Sequence, residues 1–330
     1  MRLRTVPVMA AVLALGLWAG TSLPPADAFV VFELRLPRAV LAAVAGAAFG
    51  LGGALIQSVT RNPLASPDVI GITQGAGLAA TIALTTGAFA VAPAALAGGL
   101  LAAALVFAFG SKRGFTANRF VLAGVAIAFA LRAGIEVVLT SAETIDAQRA
   151  QIWLIGSLNG RGYEEARPIA AVLLVALPIL LWAGWALRTT SLDDDVARGI
   201  GVRPVARRYG LAAVGVLLAA AATAQVGAVD FVALVAPQIS RRLARAERPP
   251  LLASALAGAA LVVFADYAGR WILAPTQLPA GVLTAAIGAP YLVYLLLRTR
   301  SGNLPGNRSL RLRRKRGLPG KLPDLGGRRT

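Results

Sequence analysis

The chain has 330 residues, 57% of them hydrophobic and only 15% charged, with a formal net charge of +18. A soluble domain has about a quarter charged residues, so long apolar runs between short charged clusters indicate an all-α, polytopic membrane protein. There is no Cys and no His, which excludes disulfides, thiol nucleophiles, imidazole bases and His-ligated metal or haem within this chain. There is also no GxxxxGK(S/T) phosphate loop, so ATP is not bound by that device.

Residues 1–22 combine a basic start with an apolar stretch. Ala26-Asp27-Ala28 resembles a signal-peptidase site, so a cleaved signal peptide is one reading; the length of the apolar region favours a retained first helix. A loop with Asp27, Glu33, Arg35 and Arg38 leads to a second span, about 39–59, near the length that crosses a bilayer core. Its Gly46, Gly50, Gly52 and Gly53 suit close helix–helix contact. The span ends on a polar, proline-broken knot, Arg61-Asn62-Pro63-Leu64-Ala65-Ser66-Pro67-Asp68, in which Asn62 and the prolines read as a helix-end cap and turn.

The third span is expected at about 69–88, the fourth at about 92–109 and the fifth at about 120–140. The fifth carries Arg132 and Glu136, four apart on one helix face, which read as an intramembrane pair. A polar segment, 141–167, contains Trp153-Leu154-Ile155-Gly156-Ser157-Leu158 and a short amphipathic helix. The sixth span follows at about 168–187.

Residues 188–210 form the longest polar loop between the later spans. Ser191 with Asp193, Asp194 and Asp195 reads as the cap and first turn of a short helix. Gly199 and Gly201 stop it, and Pro204 starts another. Such a loop in a tight membrane protein favours a partner. The seventh span is expected at about 210–226, the eighth at about 229–240, the ninth at about 251–270 and the tenth at about 281–297. Asp266 lies near the far end of the ninth and is expected to hold helices together. Residues 1–300 form the membrane domain, and 301–330 form a basic tail expected to be disordered. With both ends inside, the inner segments hold 26 of the 33 Lys and Arg, a strong positive-inside bias. The basic residues lie between and after the spans rather than on one soluble face, which argues against a nucleic-acid partner.

Several of these strings match one family in order, from about residue 32 to residue 298. Trp153…Gly156-Ser157-Leu158 is similar to its W-x-x-G-S/G-L segment. FVALVAPQISRR, from Phe231 to Arg242, is similar to F-V-G-L-x-x-P-H-x-x-R. Asp266-Tyr267-Ala268-Gly269-Arg270 is similar to A-D-x-x-x-R, and QLPAGVLTAAIGAPY, from Gln277 to Tyr291, to E-L-P-V-G-x-x-T-A-x-x-G-A-P-F. The chain resembles the permease subunits of ATP-binding cassette importers for ferric siderophores, haem and vitamin B12, the FecCD-type iron-chelate permeases. Asp230, Gln238 and Gln277 depart from the family residues Gly, His and Glu.

The resemblance implies a type II importer permease of about ten spans in the cell membrane, a non-catalytic transport subunit. Implied partners are a second permease chain, identical or related, two ATPase subunits, an extracytoplasmic substrate-binding protein and the lipid bilayer. No cofactor is expected on this chain; ATP and Mg belong to the partner ATPase. A ferric siderophore is the expected cargo, with haem or vitamin B12 as the alternative. Arg35, Arg38 and Arg270 occupy the positions of arginines that dock the binding protein, a role suited to their planar forks. Asp193, Asp194, Asp195, Arg198, Gly199, Gly201 and Arg203 match the loop that couples to the ATPase. An ion-driven transporter, the less favoured alternative, would need polar ion ligands at mid-membrane and inverted repeats, and the sequence offers only Glu136, beside an Arg, and no clear repeat; a membrane enzyme would need converging catalytic groups, which are lacking.

Overall fold

A computed structural model describes residues 5–23, 27–68, 70–110, 117–189, 199, 204–246 and 248–301. Every regular element among them is helical. α1 is Thr5–Ser22. A π-helical stretch, Val30–Arg35, runs into α2, Leu36–Thr60. Then come α3 (Ile72–Thr86), α4 (Val91–Gly110), α5 (Ala117–Ser141), α6 (Thr144–Ile155) and α7 (Tyr163–Thr189). α8 is Pro204–Val226, α9 Val232–Leu243, α10 Leu251–Trp271 and α11 Ala280–Ser301.

Seven helices among the described residues are long and apolar enough to cross a membrane, with Val30–Thr60 counted as one. The third, eighth and tenth predicted spans fall on shorter elements. α3 has 15 residues and α9 has 12, and α11 contributes the apolar piece Ala280–Leu295. The described residues divide into two compact units, with the boundary between Gly288 and Ala289 inside α11. The second unit contains Tyr291 and Tyr294, whose ring centroids are 6.3 Å apart.

α2 is the helix on which the first unit is assembled. It packs against α10, α8, α9 and α7, and 78% of its apolar window is buried. Its glycines explain how. A Cβ on Gly46 would lie 2.3 Å from the Gly258 carbonyl oxygen, one on Gly50 2.2 Å from that of Ser254, and one on Gly53 1.8 Å from that of Ala233. No side chain fits there, so α2 meets α10 and α9 backbone against backbone. Lipid is as apolar as leucine, so helices associate in a membrane through this kind of close van der Waals packing rather than through the hydrophobic effect.

α2 ends where Arg61 adopts the left-handed conformation, at φ 53°. The Asn62 Oδ1 then accepts a hydrogen bond from the Leu64 N–H at 2.9 Å, a side-chain turn of the kind that stops helices. Gln238 on α9 secures the turn: its Nε2 donates to the Pro63 carbonyl at 3.0 Å and to the Gln57 Oε1. Gln57 Nε2 in turn donates to the Leu234 carbonyl. Gln238 therefore closes a buried amide chain between α2 and α9.

Candidate functional site

At the start of α2, Arg38 occupies the first helical turn, just after Pro37. Its charge is nearly buried, and Asp266 of α10 compensates it. Asp266 Oδ1 accepts from Arg38 Nε at 2.8 Å and lies 2.7 Å from Nη2. Arg38 Nη1 donates to the Gln277 Oε1 at 3.0 Å and the Asn159 Oδ1 at 3.3 Å. One turn beyond Asp266, Arg270 places Nε 3.4 Å from the second carboxylate oxygen. Its Nη2 donates to the Gly20 carbonyl of α1 at 3.1 Å, and Arg35 Nη1 donates to the neighbouring Thr21 carbonyl at 3.3 Å. The end of α1 is thus capped by two guanidiniums from other elements. Asp266 is only 2% exposed and Arg38 9%.

The three arginines expected at a docking face are therefore unequal. The structure brings them together, yet Arg38 and Arg270 turn inward because Asp266 lies between them. Arg35, whose side chain reaches the end of α1, is half-buried, and the Arg270 side chain is 10% exposed. Asn159 and Gln277 were not singled out as part of this cluster. The one signal for them was that Gln277 departs from a glutamate in an otherwise matching string.

The Trp153-to-Leu158 motif forms a backbone junction next to this cluster. Ser157 N–H donates to the Val226 carbonyl and Gly281 N–H to the Gly156 carbonyl. Gly156 and Gly227 have positive φ, and a Cβ on Gly227 would lie 2.4 Å from the Trp153 carbonyl oxygen. Arg161, just beyond, donates through Nη1 to the Gln225 carbonyl. Burial lowers its pKa, and Glu165 opposes the shift.

On α5, Arg132 and Glu136 form an ion pair at 3.9 Å, with side chains 66% and 62% exposed. Near it, Asp68 Oδ2 accepts the Phe231 N–H at 3.3 Å, and Asp230 is in electrostatic reach of Asp68 and Arg132. Asp68 follows the Arg61–Pro67 knot, so that segment is tied to the start of α9. Of the expected coupling loop, Asp193, Asp194, Asp195, Arg198, Gly201 and Arg203 lie outside the described residues; Gly199 is helical and exposed. Among the described residues no group of His, Cys, Asp and Glu has the arrangement of a metal site.

The chain has counterparts among known proteins. The model of the FecCD transport family matches residues 7–298. The chain belongs to the FecCD transport family. An achromobactin transport system permease protein of Dickeya dadantii is 40% identical over 290 residues, covering 86% of this chain and 82% of that protein. An Fe(3+)-citrate import system permease protein of Bacillus subtilis is also 40% identical, over 81% of this chain and 82% of its own length. The ferric enterobactin permease protein of Escherichia coli is 36% identical, over 83% and 84%. A solved structure, titled as an inward-facing conformation of a metal-chelate type ABC transporter, superposes with a TM-score of 0.80 at 27% identity. It covers 89% of this chain and 98% of that one. This FecCD chain is therefore a multi-pass membrane protein of a transport family, and the matched range reaches from α1 to the end of α11.

Proposed function

We propose that this chain is the membrane-spanning permease subunit of an ATP-binding cassette importer that moves a ferric siderophore inward. The relatives named for achromobactin, ferric citrate and ferric enterobactin support an iron chelate over vitamin B12 or haem. The observation that carries translocation is the Arg132–Glu136 pair. Two charges more than 60% exposed on a spanning helix would cost several kcal/mol against lipid. A second permease chain, identical or related, with a polar path between the two copies, removes that cost.

The chain is a non-catalytic subunit in this reading. It binds no cofactor; ATP and Mg are held by two partner ATPase subunits, and the 193–203 segment is their coupling loop. A substrate-binding protein docks on the opposite face. Arg35 meets its carboxylates, while Arg38 and Arg270 hold the helices behind it through Asp266. The positive-inside bias supports cytoplasmic termini in the cell membrane.

The test is uptake of a labelled ferric siderophore by cells that lack this chain but keep the ATPase and binding protein. The intact chain restores uptake. Arg35→Glu lowers both uptake and the affinity for the binding protein, because it reverses one docking charge without touching Asp266. No restoration by a well-expressed intact chain would refute the cargo; full activity of Arg35→Glu would refute docking through Arg35.

A further inference from the structure

Next to the Arg38 cluster, the last turns of α3, α6 and the 157–161 and 277–279 segments line an open cavity of about 470 Å³. That lies within the range of small-molecule pockets. Its polar lining is Arg149, Arg161, Ser157, Asn159 and Gln277, and no carboxylate among the described residues lines it. Arg38 Nη1 engages the amide oxygens of both Asn159 and Gln277. What those two side chains have left to offer is their NH2 donors. Arg161 is anchored on the Gln225 carbonyl, and Arg149 is 67% exposed beside Asp146. The wall is therefore rich in donors: two guanidinium forks, two amide NH2 groups and a hydroxyl. Such a set fits several carboxylate oxygens at once. Asp146 faces Arg149 and Glu165 faces Arg161, while behind them Arg38 and Arg270 share Asp266, so four guanidiniums meet three carboxylates and the local balance stays positive.

We propose that this cavity receives the cargo as an anionic, polycarboxylate ferric chelate, with Arg149 and Arg161 as carboxylate forks and Asn159 and Gln277 as amide donors. This deepens the permease reading and rests on it. It also gives Gln277 a reason. A glutamate at that position, as the family resemblance has it, would line the cavity with an acceptor and a negative charge; the glutamine leaves a donor and none.

Binding of labelled ferric citrate to the full-length chain in phosphatidylcholine nanodiscs tests this. The neutral ferric complex of a trihydroxamate serves as the comparison ligand. Gln277→Glu is the sharpest variant, because it gains a salt bridge to Arg38 and so keeps the fold. It and Arg149→Gln each weaken ferric citrate about tenfold or more and leave the neutral complex unchanged. Arg149→Lys, which keeps the charge but loses the fork, recovers only part of the affinity. Equal binding of ferric citrate by intact chain and both variants overturns the proposal, as does absence of binding or an equal loss for the neutral complex. Loss of both ferric citrate and the neutral complex in phosphatidylglycerol discs would assign the cavity to lipid headgroups, since surface charge repels only the anion. Binding only with the docked substrate-binding protein would assign it to that partner. Either outcome also overturns the proposal. If cells take up ferric chelates while nanodiscs bind no ferric citrate, this inference fails and the permease reading stands; if cells take up none, both fail.

Discussion

α2 and α5 are each 25 residues long, and the apolar windows of both meet the requirement for crossing a membrane. By these measures they are near twins. In the fold, 78% of the window is buried on α2 and 11% on α5. Their arginines differ in the same sense. Arg38 reaches an aspartate on another helix and is nearly buried, whereas Arg132 pairs only weakly, four residues along its own helix. Hydropathy reports the cost of contact with water, and a lipid chain and a neighbouring helix avoid that cost equally well. What separates the two helices is small-residue spacing. Gly46, Gly50 and Gly53 let α2 be approached from two sides, and a helix with such a face collects neighbours. α5 is left with an exposed face.

Substituting each face should break the resemblance most visibly. Gly53→Leu would drive a side chain into the Ala233 carbonyl. Overpacking against side chains costs about 1–3 kcal/mol; here the obstacle is backbone, so the expected loss exceeds about 3 kcal/mol and little folded protein survives detergent chromatography. Ala130→Leu on the exposed face of α5 should change stability by no more than about 0.5 kcal/mol. Equal effects would mean that α2 is not the packing centre.

The charged pairs give the next largest contrast. Asp266→Ala leaves two guanidiniums without their acid, and breaking a buried pair in this way costs about 3–5 kcal/mol. Glu136→Ala removes an exposed i,i+4 partner worth about 0.3–0.5 kcal/mol, yet it should reduce uptake if α5 faces the path. Thermal unfolding beside transport separates the two, since the first variant lowers both and the second only transport. An effect between those two is expected at the other end of α2. Gln238→Ala strands the Pro63 carbonyl and Gln57, at about 1–3 kcal/mol, measured as a fall in Tm.

The resemblance strings were strong in sequence because they are the places where backbones meet. Trp153 to Leu158 carries the Gly156 junction with Gly227 and Gly281, and a string that tolerates no Cβ is easily recognised. The inward turn of Arg38 and Arg270 was not legible in that way. Their spacing from Pro37 and Asp266 fits a surface anchor as well as a buried clamp, and only the approach of α10 to α2 selects the clamp. Asn159 and Gln277 were harder still. An amide shows no preference for donor or acceptor until a partner such as Arg38 fixes its oxygen. The 193–203 loop is the opposite case, read from caps and charge with its residues, Gly199 apart, outside the described structure.

The amino-acid sequence by itself determined that this is a helical membrane protein of the FecCD kind and where most of its long apolar helices fall. These follow from hydropathy, glycine spacing and motif order, all properties of one segment at a time. The tertiary structure decided which charges are buried and which are exposed, and which helix becomes the centre. Burial belongs to a pair of surfaces: on its own helix Asp266 has only Arg270, one turn on, as a partner, and it becomes a buried clamp only when α2 brings Arg38 against it and α1 covers Arg270.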